Sequence, residues 1–190
     1  MSSKDKILEV ALELFYRNGY LGTSVDDIIE LAKVSKSNFY YHFKSKEDLG
    51  MAVLSQRRNE FQAALERHLR ESRLEPRERL LRFVDSLEEA QEARLAKGGC
   101  PFGNLVAEMS EHSERFRCHL SELFVGMTVR VADVVAEGQA RSTFRPDMDA
   151  QDVATLFVQA TQGMLLMTKC HKSAVTSGRG VRLLIRLMTL

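Results

Sequence analysis

The chain has 190 residues, enough for one large domain or a small domain joined to a medium one. Its 27 basic and 26 acidic side chains leave a net charge of +1, so a strongly basic nucleic-acid tail is excluded and any cationic surface must be local. Three widely spaced cysteines, Cys100, Cys118 and Cys170, contain no CxxC pair and indicate neither a zinc module nor a disulfide framework. The opening residues Met1-Ser2-Ser3-Lys4-Asp5-Lys6 lack a signal-peptide core, which with the free thiols leads to the expectation of a cytoplasmic protein. Val153 to Thr168 is uncharged but short for a membrane span and broken by Thr and Gln, so no membrane association is expected.

Taken in order, Ser3 is the expected cap of a first helix that ends at Asn18, with Ile7, Ala11, Leu14 and Phe15 as its buried stripe and Gly19 as its stop. Ser24 caps a second helix, with Asp27 in the capping-box position and Val25, Ile28, Ile29 and Ala32 on one face. Ser35 caps a third, very short helix from Lys36 to Phe43, and Ser45 a fourth, with Asp48 at its third position. Two short helices across a tight turn predict a helix-turn-helix. In the third helix Phe39 and Phe43 are four residues apart and bury together, which turns Lys36, Ser37, Asn38, Tyr40, Tyr41 and His42 outward. Adjacent exposed tyrosines suit DNA better than plain solvent. Lys36 reaches guanine acceptors, Asn38 pairs with adenine, and a Tyr ring lies on a thymine methyl. His42, Lys44 and Lys46 suit phosphates, helped by helix N-termini. From Lys33 to Lys46 there are four lysines and no acid.

Thr23-Ser24-Val25-Asp26-Asp27-Ile28, Val34-Ser35-Lys36 and Phe39-Tyr40-Tyr41-His42-Phe43-Lys44-Ser45-Lys46-Glu47-Asp48-Leu49 together resemble the DNA-binding domain of the TetR (tetracycline repressor) family. The resemblance covers about the first quarter of the chain. Lys33 stands where the family usually has Gly; in a left-handed conformation it costs about 1 kcal/mol. The resemblance implies a DNA-binding domain over residues 1–49 and an effector-binding and dimerisation domain over 50–190. The expected DNA-contacting residues are Thr23, Ser24, Ser35, Lys36, Ser37, Asn38, Tyr40, Tyr41, His42 and Lys46.

Beyond it, the fourth helix is expected to run to about Arg70, and Pro76 starts a fifth that reaches about Leu95. Lys97-Gly98-Gly99-Cys100-Pro101 breaks the chain before a short helix, Phe102 to Ser110. Ser113 caps the next, to about Gly138, and Asp149 another, to about Cys170, with Asp152 at its third position. After Ser177-Gly178, Val181 to Met188 forms a last amphipathic helix. No period-two pattern persists, so the chain is expected to be all-α with about nine helices.

Leu156, Phe157, Ala160, Met164, Leu165 and Met167 cover much of one helix without charge, so one face fills the core and another wants a partner; a homodimer is expected. The resemblance places an effector pocket among the middle helices. Phe83, Leu87, Cys100, Phe102, Phe124, Met127, Met164 and Met167 are the candidate lining, with plain core as the competing reading. Gly99-Cys100-Pro101-Phe102-Gly103-Asn104-Leu105 with Ala107-Glu108 also resembles a branch of the family in which some members sense electrophiles through this Cys. Lys169 is its candidate cationic neighbour, and an inert structural thiol is the competing reading. No catalytic constellation emerges and no cofactor motif is present. Glu108 and His119 fall on separate helices, with His112 between them, so no metal site is expected. The function that follows is a homodimeric transcriptional regulator, expected to be a repressor, that binds a palindromic double-stranded operator and is released by a small-molecule effector. The alternatives are thiol-based sensing through Cys100 and Lys169, or a helix-turn-helix adaptor that binds protein. An enzyme is not expected.

Overall fold

A computed structural model describes residues 1–71, 73–93, 98–173 and 178–190. Among these the chain forms α1 (Ser3–Asn18), α2 (Val25–Ala32), α3 (Lys36–His42), α4 (Lys46–Leu69), α5 (Pro76–Ala93), α6 (Pro101–Met109), α7 (Glu114–Ala140), α8 (Ala150–His171) and α9 (Arg179–Met188). An isolated antiparallel bridge between Phe144 and Thr189 is the one extended pairing among the described residues. The all-α reading holds. The expected helix end near Leu95, Lys97 of the expected break and Ser177 lie outside the described residues.

Most helix starts carry the caps their sequences call for. Ser24 accepts from the Asp27 amide at 3.0 Å while Asp27 accepts from the Ser24 amide at 2.8 Å. Ser35 accepts from Asn38, Ser45 from Asp48, and Ser113 from Phe116. Asp149 accepts from both Gln151 and Asp152. The first cap is Ser2, not Ser3: Asp5 closes a capping box with Ser2, three residues before it. Lys33 does adopt the left-handed conformation, φ 53° and ψ 48°, as the C-cap of α2.

The chain divides into two compact units, residues 1–61 with 104–118, and residues 62–103 with 119–190. The expected boundary after Leu49 therefore moves. Leu49, Val53 and Leu54 of α4 are buried, and Leu49 and Val53 share one core with Ile7, Ala11, Ile28, Ala32, Phe39 and Phe43. Leu49 and Val53 each contribute about 1.5–3 kcal/mol by burial, so the helix-turn-helix needs the first turns of α4 to complete its core. Residues 104–118 join it through Phe116, fully buried with its ring 5.1 Å from that of Tyr20. The second unit is cored by Leu80, Phe83 and Val84 of α5, Leu120, Met127 and Val131 of α7, Phe157 and Leu165 of α8, and Ile185 of α9.

Candidate nucleic-acid interface

The short helix α3 is held from beneath by Phe39 and Phe43, both buried, with ring centroids 6.1 Å apart. Seven residues are too few for a helix to persist alone, so this packing and the Ser35 cap fix it. With that face turned in, Tyr40 is 47 % exposed and Tyr41 83 %. Tyr40 is not loose: its ring stands edge-on to Phe39 at 5.2 Å, and Tyr41 meets His42 at 4.9 Å. A pair of aromatics steadied from behind and open in front can lie on base edges or sugar faces without a large ordering cost.

Around them lie the polar groups the sequence singled out. Ser24, Ser35 and Ser37 are exposed, and the Ser35 and Ser37 hydroxyls are 2.9 Å apart. Lys36 is exposed, but its ammonium is 3.3 Å from Asp26 Oδ1 on α2. Both partners are well solvated, so the pair is worth at most about 1 kcal/mol and yields readily to a phosphate. Asp26 is the residue sequence reasoning passed over. The signal was weak, since ten positions separate it from Lys36.

Three expected contacts sit differently. Thr23 is buried, and its hydroxyl donates to the Gly19 carbonyl at 2.8 Å, so its side chain braces the α1–α2 turn and is not at the surface. Asn38 is half-buried, with Oδ1 turned inside without a hydrogen-bond partner, so this acceptor does not face out as expected. Lys46 is half-buried and its ammonium lies over the Tyr20 ring, 4.4 Å from the centroid. Partial desolvation lowers the Lys46 pKa, opposed by the Glu108 carboxylate, and desolvation with Glu47 nearby pushes the Tyr20 phenol up to about 12. Lys46 thus works inside the unit as a cation on an aromatic face.

The same unit shows how α6 and the start of α7 support this surface. Glu108 Oε2 accepts the Leu21 amide at 3.0 Å. Gly19, at φ 80°, leaves the room: a Cβ there would come within 2.7 Å of the Glu108 carboxylate. Ser113 donates to Glu47 at 2.5 Å, and Arg115 holds Asp48 at 2.8 Å, which keeps the Asp48 carboxyl below the usual carboxylate range.

In the other unit, of the expected effector residues, Phe83, Phe102, Met127 and Met164 are buried, and Leu87 and Phe124 are half-buried. Met167 is 47 % exposed and lies on the outer side of α8 with Leu156 and Leu166, which removes it from any interior lining. Cavities of about 100 and 320 Å³ are lined by other residues. Cys100 is half-buried just before α6, its sulfur accepting the Gly103 amide at 3.3 Å. Gly99 is left-handed at φ 64°, and a Cβ there would be 3.2 Å from Lys169 Cβ, so Lys169 runs along this turn. Cys118 and Cys170 are the exposed thiols. No group of three metal-ligating side chains gathers among the described residues, and no helix there is long and apolar enough to cross a membrane.

Comparison with known proteins agrees with this geometry. Residues 7–53 match the model described as "Bacterial regulatory proteins, tetR family", and residues 76–184 match "Tetracyclin repressor-like, C-terminal domain". The chain is 28 % identical to the HTH-type transcriptional repressor DhaR of Mycobacterium sp. (strain GP1), over 90 % of this chain and 84 % of that one. It is 53 % identical to the HTH-type transcriptional regulator QacR of Staphylococcus aureus over 55 residues, 29 % of each chain. The crystal structure of a regulatory protein TetR from Rhodobacter sphaeroides superimposes with a TM-score of 0.90 at 27 % identity, over 97 % of this chain and 98 % of that one. With the second family model alone spanning more than half its length, the chain belongs to the TetR family of DNA-binding transcriptional regulators.

Proposed function

We propose that the protein is a homodimeric repressor that places two copies of α3 in successive major grooves of a palindromic operator and leaves it when a small apolar effector binds the second unit. The observation that carries the DNA reading is α3 itself: Tyr40, Tyr41 and Lys36 stand exposed on a helix whose opposite face is locked by Phe39 and Phe43. Ser24, Ser35 and Ser37 flank it as hydroxyl donors to phosphate, and the N-termini of α2 and α3 add partial positive charge. The dimer reading draws on the apolar outer faces of α8 and α9, where Leu156, Leu166, Met167, Leu183 and Leu187 are exposed. Repression draws on relatives such as DhaR, which is named a repressor. A regulator of this kind works in the compartment that holds the chromosome, which in a bacterium is the cytoplasm.

The test is fluorescence anisotropy with duplexes covering the palindromes beside the protein's own gene, titrated at several salt concentrations. One palindrome is expected to bind with a steep negative salt slope, and Tyr40→Ala should weaken it by about 1–3 kcal/mol without changing the circular dichroism. Binding to every duplex with equal affinity, or an unaltered affinity in Tyr40→Ala, removes α3 as the reader of sequence.

A further inference from the structure

Between α3 and α4 the chain reads Lys44-Ser45-Lys46-Glu47-Asp48, two cations followed by two acids. On charge alone this junction is neutral and would attract phosphates little. The two acids, however, are held by the residues that open α7. Ser113 Oγ donates to Glu47 at 2.5 Å, and Arg115 Nη1 donates to Asp48 Oδ1 at 2.8 Å.

This hold does not depend on the charges themselves. Ser113 caps α7 by accepting the Phe116 amide at 3.3 Å. Phe116 is fully buried, its ring 5.1 Å from that of Tyr20. Gly50 of α4 leaves the room for both rings: a Cβ there would come within 2.8 Å of Phe116 and 2.6 Å of Tyr20. Packing therefore fixes the start of α7 against α4, and Arg115, its side chain 52 % exposed, is set beside Asp48.

The two cations are not equivalent. Lys46 is engaged, its ammonium over the Tyr20 ring. Lys44 is exposed, and its ammonium makes no ion pair among the described residues. The Asp48 carboxyl, held below the usual carboxylate range first by its bond to Arg115, also feels the charge of Lys44. A carboxylate left unoccupied at Asp48 would draw Lys44 to itself and away from a phosphate.

We propose that Arg115 is a positioning residue for DNA binding: by occupying Asp48 it leaves Lys44 free for a backbone phosphate. The inference rests on α3 as the DNA-reading helix, because Lys44 follows its C-terminal end. Arg115 acts through Asp48 and need not touch DNA.

The probes are a fluorescein-labelled palindromic duplex from beside the protein's own gene and an unrelated duplex of equal length, titrated by anisotropy at several salt concentrations. Arg115→Gln is expected to weaken both by about two- to fivefold at low salt and to make the salt slope shallower by up to about one. Lys44→Ala should do the same, and the two changes together should cost no more than either alone. Adding Asp48→Asn to Arg115→Gln should restore both affinity and slope. Arg117→Gln removes the same charge two residues on, from a pair with Glu114, and should change little. Tyr40→Ala separates this inference from the one it rests on. It should lose the preference for the palindrome, whereas Arg115→Gln weakens both duplexes alike. If Tyr40→Ala keeps that preference while the Arg115 results hold, α3 loses its part as base reader and Arg115 keeps its own. An Arg115→Gln protein that binds like the parent, losses that add to those of Lys44→Ala, or no rescue by Asp48→Asn would each overturn the assignment; additive losses would place Arg115 itself on a phosphate. A fall in melting temperature that Asp48→Asn does not reverse would make Arg115 a brace of the fold and overturn it too.

Discussion

At the scale of single residues, the proposed DNA-facing surface is set by which charges are already engaged. Lys36 is tied to Asp26, but both ends are in solvent, so the pair is a weak tether that competes with DNA. Asp26 also brings a negative charge to a surface meant for phosphates. Asp26→Asn should tighten binding to any duplex, by about 0.5–1 kcal/mol at low salt, and the gain should shrink as salt is raised. Anisotropy titrations on operator and unrelated DNA measure both. If operator alone gains, Asp26 shapes base readout and is not a general repellent. Lys46 is the contrasting case. Its ammonium lies on the Tyr20 ring, so Lys46→Ala is expected to lower thermal stability as well as DNA affinity, unlike a purely phosphate-binding lysine. The tyrosine pair was legible in the sequence because Phe39 and Phe43, four residues apart, dictate which side is buried. The fates of Thr23, Asn38 and Lys46 were not. Each is decided by a partner or a packing surface, such as the Tyr20 ring, that no helical period reveals.

Among elements, local chemistry was readable and distant chemistry was not. Ser24 with Asp27 and Asp149 with Asp152 are complete within four residues, so the caps announce themselves. Glu108 accepting the Leu21 amide spans 87 positions, and only the fold brings the two together. This is also why the compact units do not divide at Leu49: the core of the first unit recruits part of α4 and residues 104–118. Glu108→Ala should destabilise the first unit by about 1 kcal/mol, the usual worth of a hydrogen bond to a charged group discounted for exposure. Gly19→Ala should do at least as much, since it adds strain at φ 80° and drives a Cβ into the Glu108 carboxylate. Thermal melts of both variants check this, and a Gly19→Ala melt equal to the parent's would show that Glu108 moves aside freely. Carboxyls in the first turns of helices also set an acid limit. Asp27 is held below the usual carboxylate range, first by the Ser24 hydrogen bonds, and Glu114 is brought down to about 2, first by Arg117. A carboxyl depressed in the fold adds stability that is fully present above its unfolded value and is lost as pH falls through its folded one. Stability should therefore hold above about pH 5 and decline toward pH 2. In Asp27→Ala the decline should be shallower, as urea midpoints against pH would show; an unchanged slope would mean that other carboxyls carry the acid transition.

For the whole molecule the question is what one copy lacks. The net charge of +1 supplies little general attraction to DNA, and a single seven-residue α3 reaches only a few base pairs. In the proposed dimer, affinity comes from two copies engaging together, where the second binding event is intramolecular. The uncharged run in α8 pointed to this in the sequence, and its outward side chains are Leu156, Leu166 and Met167, with Leu183 and Leu187 on α9. A symmetric pairing through these faces makes each copy bury the same patch, and it matches a palindrome because two-fold protein symmetry maps onto two-fold DNA symmetry. Leu183→Asp places a charge in the middle of that face. Buried at an interface without a partner it would cost several kcal/mol, whereas in a monomer it sits in water at almost no cost, since Leu183 is already 44 % exposed. The variant should therefore sediment as a folded monomer at micromolar concentration, with an unchanged circular dichroism spectrum. Its affinity for the full palindrome should fall toward that for a single half-site, with a salt slope roughly half as steep because half the phosphates are engaged. A Leu183→Asp protein that remains dimeric would move the interface away from α9, and one that is monomeric yet binds the palindrome like the parent would show that dimerisation is not what couples the two half-sites.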